Sequence, residues 1–158
     1  MNVYRKCAGI IVFNALKKVL VCARNDAFSF NWQFPQGGIE NNEAPLDAAL
    51  RELKEETSMV SVKPIHTLEE PTRYDFPEKV LNQSKGIGKV FAGQDVYWSL
   101  LFFYGSDDEI NLATKEPEFK SFEWVEPNEA ICRIIDFKKN AYKTALMSLT
   151  PIIENYKV

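Results

Sequence analysis

The sequence predicts an α/β protein, a mixed β-sheet held between helices in an α/β/α sandwich. Three observations carry that reading. Apolar, β-branched runs stand early in the chain and return after the midpoint, a single amphipathic helix pattern sits between them, and the C-terminal tail is helical in periodicity. At 158 residues, with 46% hydrophobic and 26% charged content, the chain is long enough for one domain with a sizeable core, taken here as residues 1–158.

Ala8 to Phe13 and Lys18 to Ala23 are apolar runs separated by Asn14 to Lys17, the pattern of a hairpin. Arg24 follows where the second strand hands over to a loop. Phe28 to Gln36 is aromatic and closes in Pro-Gln-Gly-Gly, a turn whose backbone can approach a ligand closely. Past the helix, Val60 to Leu68 reads as a strand interrupted by Pro64, and Glu78 to Lys89 as a loop with three lysines. Trp98 to Tyr104 is almost continuously apolar, which predicts a central strand over Phe91 to Tyr104. Phe119 to Val125 alternates as a last strand. From Asn128 the spacing of Ile131, Ile134, Ile135, Ala141, Tyr142, Ala145, Leu146 and Leu149 is helical, and Pro151 is expected to end or kink that helix.

The middle helix is the informative one. Pro45 suits a first helical position, with Asn42 or Glu43 ahead of it as a capping side chain. Leu46, Ala49, Leu50, Leu53 and Thr57 fall on one buried face. Glu52, Glu55 and Glu56, at i, i+3 and i+4, gather on the next. Like charges so placed repel by roughly 0.2 to 0.5 kcal/mol per pair, which Arg51 and Lys54 offset only in part. A divalent cation would remove the conflict, since hard ions such as Mg²⁺ take oxygen ligands together with substrate phosphates.

From Gly37, five residues lead to Glu43, seven more to Arg51, and then come Glu52, Leu53, Lys54, Glu55, Glu56, Thr57, Ser58 and Met59. This resembles the Nudix box, G-x5-E-x7-R-E-U-x-E-E-x-G-U, with every charged position filled. Ser58 departs, standing where the box has its last glycine and where a left-handed residue ends the helix, at a strain of up to about 1 kcal/mol. The likeness extends along the chain in WQFPQGGIE (Trp32 to Glu40), TRYDFP (Thr72 to Pro77), Gly93-Gln94, PEF (Pro117 to Phe119) and DFKKNAY (Asp136 to Tyr142), and resembles the bacterial RNA pyrophosphohydrolase and dinucleoside polyphosphate hydrolase branch of that family.

The resemblance implies a Nudix fold and the hydrolysis of a pyrophosphate linkage with Mg²⁺ or Mn²⁺. It implies metal ligands at Glu52, Glu55, Glu56 and Glu118, with the backbone carbonyl near Gln36 and Gly37 as a further one. Glu52 is assigned the general base, with Glu55 beside it, and Arg51 orients the glutamates. Arg24 and Arg73 are placed at the phosphates, Tyr74 or Phe30 against a terminal base, and Gln94 in substrate binding, while Lys138 and Lys139 are read as solvated surface. The substrate classes implied are the 5′ end of a triphosphate RNA or a dinucleoside polyphosphate such as diadenosine tetraphosphate; a non-catalytic binding module of the same fold is the remote alternative.

Composition narrows this further. Nineteen basic against twenty-two acidic residues give a net charge of −3, without the basic surface of a protein that grips long nucleic acid, so DNA is not expected as a partner. No apolar run reaches membrane-spanning length and no leader pattern opens the chain, which points to the cytoplasm. Cys7, Cys22 and Cys132 are scattered and odd in number, so buried free thiols are expected; His66 alone excludes any mechanism that needs two histidines.

Overall fold

The structure, a computed structural model, describes residues 3–25, 31–83 and 86–158. Among the described residues eight strands form one mixed sheet: β1 (Tyr4–Phe13), β2 (Val19–Arg24), β3 (Trp32–Gln33), β4 (Gln36–Gly38), β5 (Val62–Thr67), β6 (Thr72–Asp75), β7 (Gly93–Phe103) and β8 (Phe119–Val125). The helices are α1 (Pro45–Thr57), α2 (Glu78–Leu81), α3 (Pro127–Arg133) and α4 (Asp136–Asn155). β1 and β7 run parallel through ten residue pairs from Tyr4↔Gly93 to Phe13↔Phe102, and the other pairings between these strands are antiparallel.

Alternation along β1 divides the core in two. Cys7, Ile11 and Phe13 face α4, joined by Trp98, Tyr142, Leu146 and Leu149. Ala8, Ile10 and Val12 face α1, joined by Ala48, Ala49, Leu53 and Leu20. Both faces of the central strands are therefore apolar, which is why Trp98 to Phe103 reads as a continuous run in sequence.

The expected hairpin is closed only at its turn. Phe13 faces Val19, and Asn14 accepts hydrogen bonds from Leu16 and Lys18 through its side chain. Beyond that point residues 34–38 wedge between the two strands. The amide of Ile10 donates to Pro35 O at 2.9 Å, β4 pairs with Cys7, Ala8 and Gly9, and β2 turns instead to β3 and β8. The Gly-Gly segment thus becomes an internal strand that presents one residue to each face of the sheet in turn.

Several expectations change. Neither Asn42 nor Glu43 caps α1: Ala44 is the capping residue without a side-chain bond, Asn42 adopts φ 65°, and Glu43 turns inward to Arg51. Residues 78–89, expected as a loop, include α2 and a 3₁₀ turn at Ile87–Lys89. The strand after α1 begins at Val62, and a register shift after Pro64 lets this edge strand carry a proline. Pro151 does not end α4, which continues to Asn155; its ring is exposed, and Thr150 donates to Leu146 O at 2.7 Å beside it. Cys7 and Cys22 are buried, but Cys132 is exposed. At Ser58 the turn keeps the left-handed conformation of a glycine, φ 68° and ψ 5°, with its amide bonded to Lys54 O and its hydroxyl to Asn111 O at 2.9 Å.

Candidate active site

Arg51 organises the carboxylate face of α1. Its Nε and Nη2 grip Glu43 bidentately at 2.8 and 2.9 Å, Nη1 donates to Glu52 at 2.8 Å, and Nη2 also reaches Gly38 O at 2.9 Å. Glu55 lies 3.5 Å away and remains exposed. A planar fork suits such a multiple contact, because each nitrogen meets an oxygen without reorganising the others. The result is electrostatic separation: the bond from Arg51 holds the Glu43 carboxyl down at about 2.

Glu56 stands at the other extreme. Its Oε2 is buried without a hydrogen-bond partner. Burial first, then the charges of Glu52 and Glu118, push its carboxyl up to about 9. Glu52 is itself raised, chiefly by burial, against the opposing pull of Arg51. Arg24 closes the group: a register shift at the end of β2 brings it beside Glu118, at 3.1 Å.

This arrangement fits a hard divalent cation. An orphaned buried carboxylate oxygen and two further carboxylates that destabilise its charge describe an oxygen site. Among the described residues no three His, Cys, Asp or Glu side chains stand grouped so as to hold a metal ion by themselves; Mg²⁺ usually binds through one or two carboxylates, completed by waters and phosphate oxygens. Gly37 bounds the group on the sheet side, where an added Cβ would fall 2.1 Å from Glu52 Cδ.

On the opposite face of β4 lies a cavity of about 780 Å³. Arg5, Arg24, Tyr74, Phe137, Lys138 and Gln94 line it, and Gly37, Arg24 and Glu118 connect it to the carboxylates. The structure thereby brings together Arg24, Tyr74, Gln94, Gly37 and Glu118 of the residues expected from sequence, with Glu52 immediately behind Gly37 and Glu56 coupled to Glu52 and Glu118. Tyr74 is buried, its ring packed edge-on against Phe76 and Phe137 and its hydroxyl bonded to Gln94, so it forms wall rather than a free stacking surface.

Arg73 is not in the cavity. Strand alternation turns it to the other face with Asp95, to which it is bound bidentately at 2.7 and 3.0 Å, above the ring of Tyr4. Lys138 reverses the opposite expectation: it is buried, not solvated, donating to Gln33 at 2.9 Å with Tyr74 and Phe137 rings 5.8 and 5.7 Å away. Lys139, one residue on, lies 3.7 Å from Asp136 at the surface. Periodicity alone could have separated the two lysines, since Lys138 is spaced i, i+4 from Tyr142 on the buried stripe. Arg5 was not expected because it precedes the apolar run that marks the first strand, and of Gln36 only the backbone carbonyl was expected at the site, not the side chain. Phe30 and Lys85 lie outside the described residues.

A NUDIX domain model matches residues 3–146. The chain belongs to the NUDIX family. Among its Nudix relatives, an RNA pyrophosphohydrolase of Dinoroseobacter shibae is 40% identical over 89% of this chain and 88% of its own length. The chloroplastic Nudix hydrolase 26 of Arabidopsis thaliana is 39% identical over 90% of this chain and 68% of its own. Solved Nudix-fold structures agree: the E. coli dihydroneopterin triphosphate pyrophosphohydrolase has a TM-score of 0.69 at 18% identity, covering 93% of this chain and 99% of its own. A C. elegans Ap4A hydrolase gives 0.66, also at 18%, over 95% and 99%. Divalent-cation use is general in Nudix hydrolases, in keeping with the oxygen donors around Glu56.

Proposed function

We propose that this Nudix hydrolase is an RNA pyrophosphohydrolase, which converts 5′-triphosphate RNA ends to 5′-monophosphates and so exposes the transcript to decay. The observation that carries the reading is the junction at Gly37, where a cavity of nucleotide size lined by Gly37, Arg24 and Glu118 is separated by that glycine alone from the Glu52 carboxylate. The similarity to proteins named RNA pyrophosphohydrolase supports it. The low net charge agrees with recognition of one RNA end rather than a long duplex. We infer the cytoplasm as its compartment, where such transcripts arise; none of the described helices is long and apolar enough to cross a membrane.

Glu52, Glu55, Glu56, Glu118 and the Gly37 carbonyl are the groups assigned to hold Mg²⁺ or Mn²⁺. When bound, the cation neutralises polyphosphate charge and lowers the pKa of water. The chain's own residues supply orientation and proton handling. Arg51 fixes one oxygen of Glu52, leaving the other against Gly37 and placed to accept a proton from attacking water. Arg24, at the mouth shared by cavity and carboxylates, is assigned to the phosphate chain, where its guanidinium can bind two oxygens at once.

Gly37 is the thinnest wall in this arrangement. Gly37→Ala is expected to displace Glu52 and lower kcat about tenfold, because the new methyl would overlap the Glu52 carboxyl group. Steady-state kinetics with circular dichroism as a folding control checks this.

The deciding assay is product analysis with 5′-triphosphate RNA and diadenosine tetraphosphate at matched concentrations, using Glu56→Gln as control. Faster release of pyrophosphate, or of phosphate in two steps, from RNA supports the proposal. Preferential conversion of the dinucleotide to ATP and AMP overturns it in favour of a nucleotide-pool hydrolase.

A further inference from the structure

The wall of the cavity holds a polar network in which the side chains of Gln36 and Tyr142 have no role assigned above. Gln36 immediately precedes Gly37 in β4 and points to the α4 face. Its Nε2 donates to Gln94 Oε1 at 2.7 Å and to Tyr74 Oη at 3.0 Å, and its Oε1 accepts from the Tyr142 hydroxyl. Tyr74 also donates to Gln94 Oε1. Both ends of the Gln36 amide are thereby engaged by neighbouring side chains.

Tyr142 is fully buried on α4. Its ring stacks on Phe34 at 5.4 Å and meets Trp98 edge-on at 4.8 Å, contacts that a phenylalanine would make equally well. The hydroxyl thus adds nothing to the packing, and a buried hydroxyl is tolerated only with a partner. That partner is the side chain of Gln36. The next two residues touch the carboxylate group directly: Gly37 packs against Glu52, and Gly38 O accepts from Arg51. Three residues of β4 therefore link the floor of the cavity to Glu52 and to Arg51, the side chain that orients it.

We infer that Tyr142 and Gln36 are positioning residues, pinning β4 from the α4 side so that Gly37 and the Glu52 carboxylate behind it hold one spacing when a polyphosphate occupies the cavity. The inference rests on the reading of the site given above. It differs from a role in stability, since the hydroxyl is dispensable to the core, and from a role in substrate contact, since Tyr142 acts through Gln36.

The test is a double-mutant cycle with Tyr142→Phe, Gln36→Met and both, read by kcat and KM on a 5′-triphosphate RNA oligonucleotide, by Mn²⁺ affinity from electron paramagnetic resonance, and by Tm. Tyr142→Phe is expected to lower kcat about fivefold with KM within about twofold, and to weaken Mn²⁺ binding by a similar factor. The double variant should be no worse than Gln36→Met alone, because both changes break the same bond. Wild-type kcat and Mn²⁺ affinity in Tyr142→Phe, with only Tm altered, would overturn the inference. Should the unaltered protein bind Mn²⁺ yet cleave no RNA, the functional reading fails by itself, and the Mn²⁺ cycle still decides whether β4 is pinned in this way.

Discussion

Glu56→Gln is expected to lose turnover by more than about a hundredfold while the cation-free protein becomes more stable. Loss of a group that only supports a metal ligand costs about 10- to 100-fold, and loss of a ligand itself should exceed that. The gain in stability follows from the orphaned oxygen. In the folded chain the Glu56 carboxyl is raised to about 9, mainly by burial and then by Glu52 and Glu118, whereas an unfolded glutamate titrates near 4.3. A raised acid binds its proton more tightly in the folded state, so the cation-free protein loses stability as pH climbs from the unfolded value toward the folded one. At pH 8 the penalty is on the order of 2 to 5 kcal/mol. Glutamine removes it. A calorimetric scan in chelator at pH 8 should therefore show a higher Tm for Glu56→Gln than for wild type, by about 4 °C or more. Saturating Mg²⁺ should raise the wild-type Tm and leave the variant nearly unmoved. A Tm for Glu56→Gln below wild type in chelator, or turnover close to wild type, would remove Glu56 from the centre of the site.

How much of this was legible in sequence depends on which force set the answer. The helical face of Glu52, Glu55 and Glu56 follows from the 3.6-residue period, and the central strand from an unbroken apolar run, because both are local consequences of backbone geometry. The split of the first hairpin is not local. Nothing in Ala8 to Ala23 says that residues 34–38 will wedge between its strands, since that choice is made by tertiary pairing with β4, β3 and β8. Arg73 and Lys138 err in opposite directions for a related reason. Type and neighbourhood made Arg73 look like a phosphate contact, but the two-residue period of β6 assigns it to Asp95. Lys138 looked like surface, yet the stripe of α4 carries it inward to Gln33. Helix capping failed at Glu43 because a stronger electrostatic partner, Arg51, competed for the same carboxylate.

Arg51→Lys should be the most damaging substitution among residues that hold no metal, lowering kcat by about 10- to 100-fold. Charge is conserved, so the effect isolates geometry. One guanidinium spans Glu43, Glu52 and Gly38 O simultaneously, whereas an ammonium on a flexible stem can satisfy only part of that set. Glu52, released from its 2.8 Å bond, would turn away from Gly37, and the Glu43 clamp on the loop ahead of α1 would slacken. The second consequence can be read apart from catalysis. Glu43 is held low, at about 2, first by its bond from Arg51, so its contribution to stability is complete above the unfolded value near 4.3 and is lost as pH falls from there toward 2. Weakening the clamp raises that folded value, and the acid-unfolding midpoint of Arg51→Lys should move to higher pH than wild type. Glu43→Gln should shift the same midpoint while leaving more of kcat, because Arg51 keeps its bond to Glu52. If Arg51→Lys lost activity without moving the acid midpoint, the arginine would be acting on Glu52 alone, and the bidentate clamp on Glu43 would be incidental to the stability of the loop.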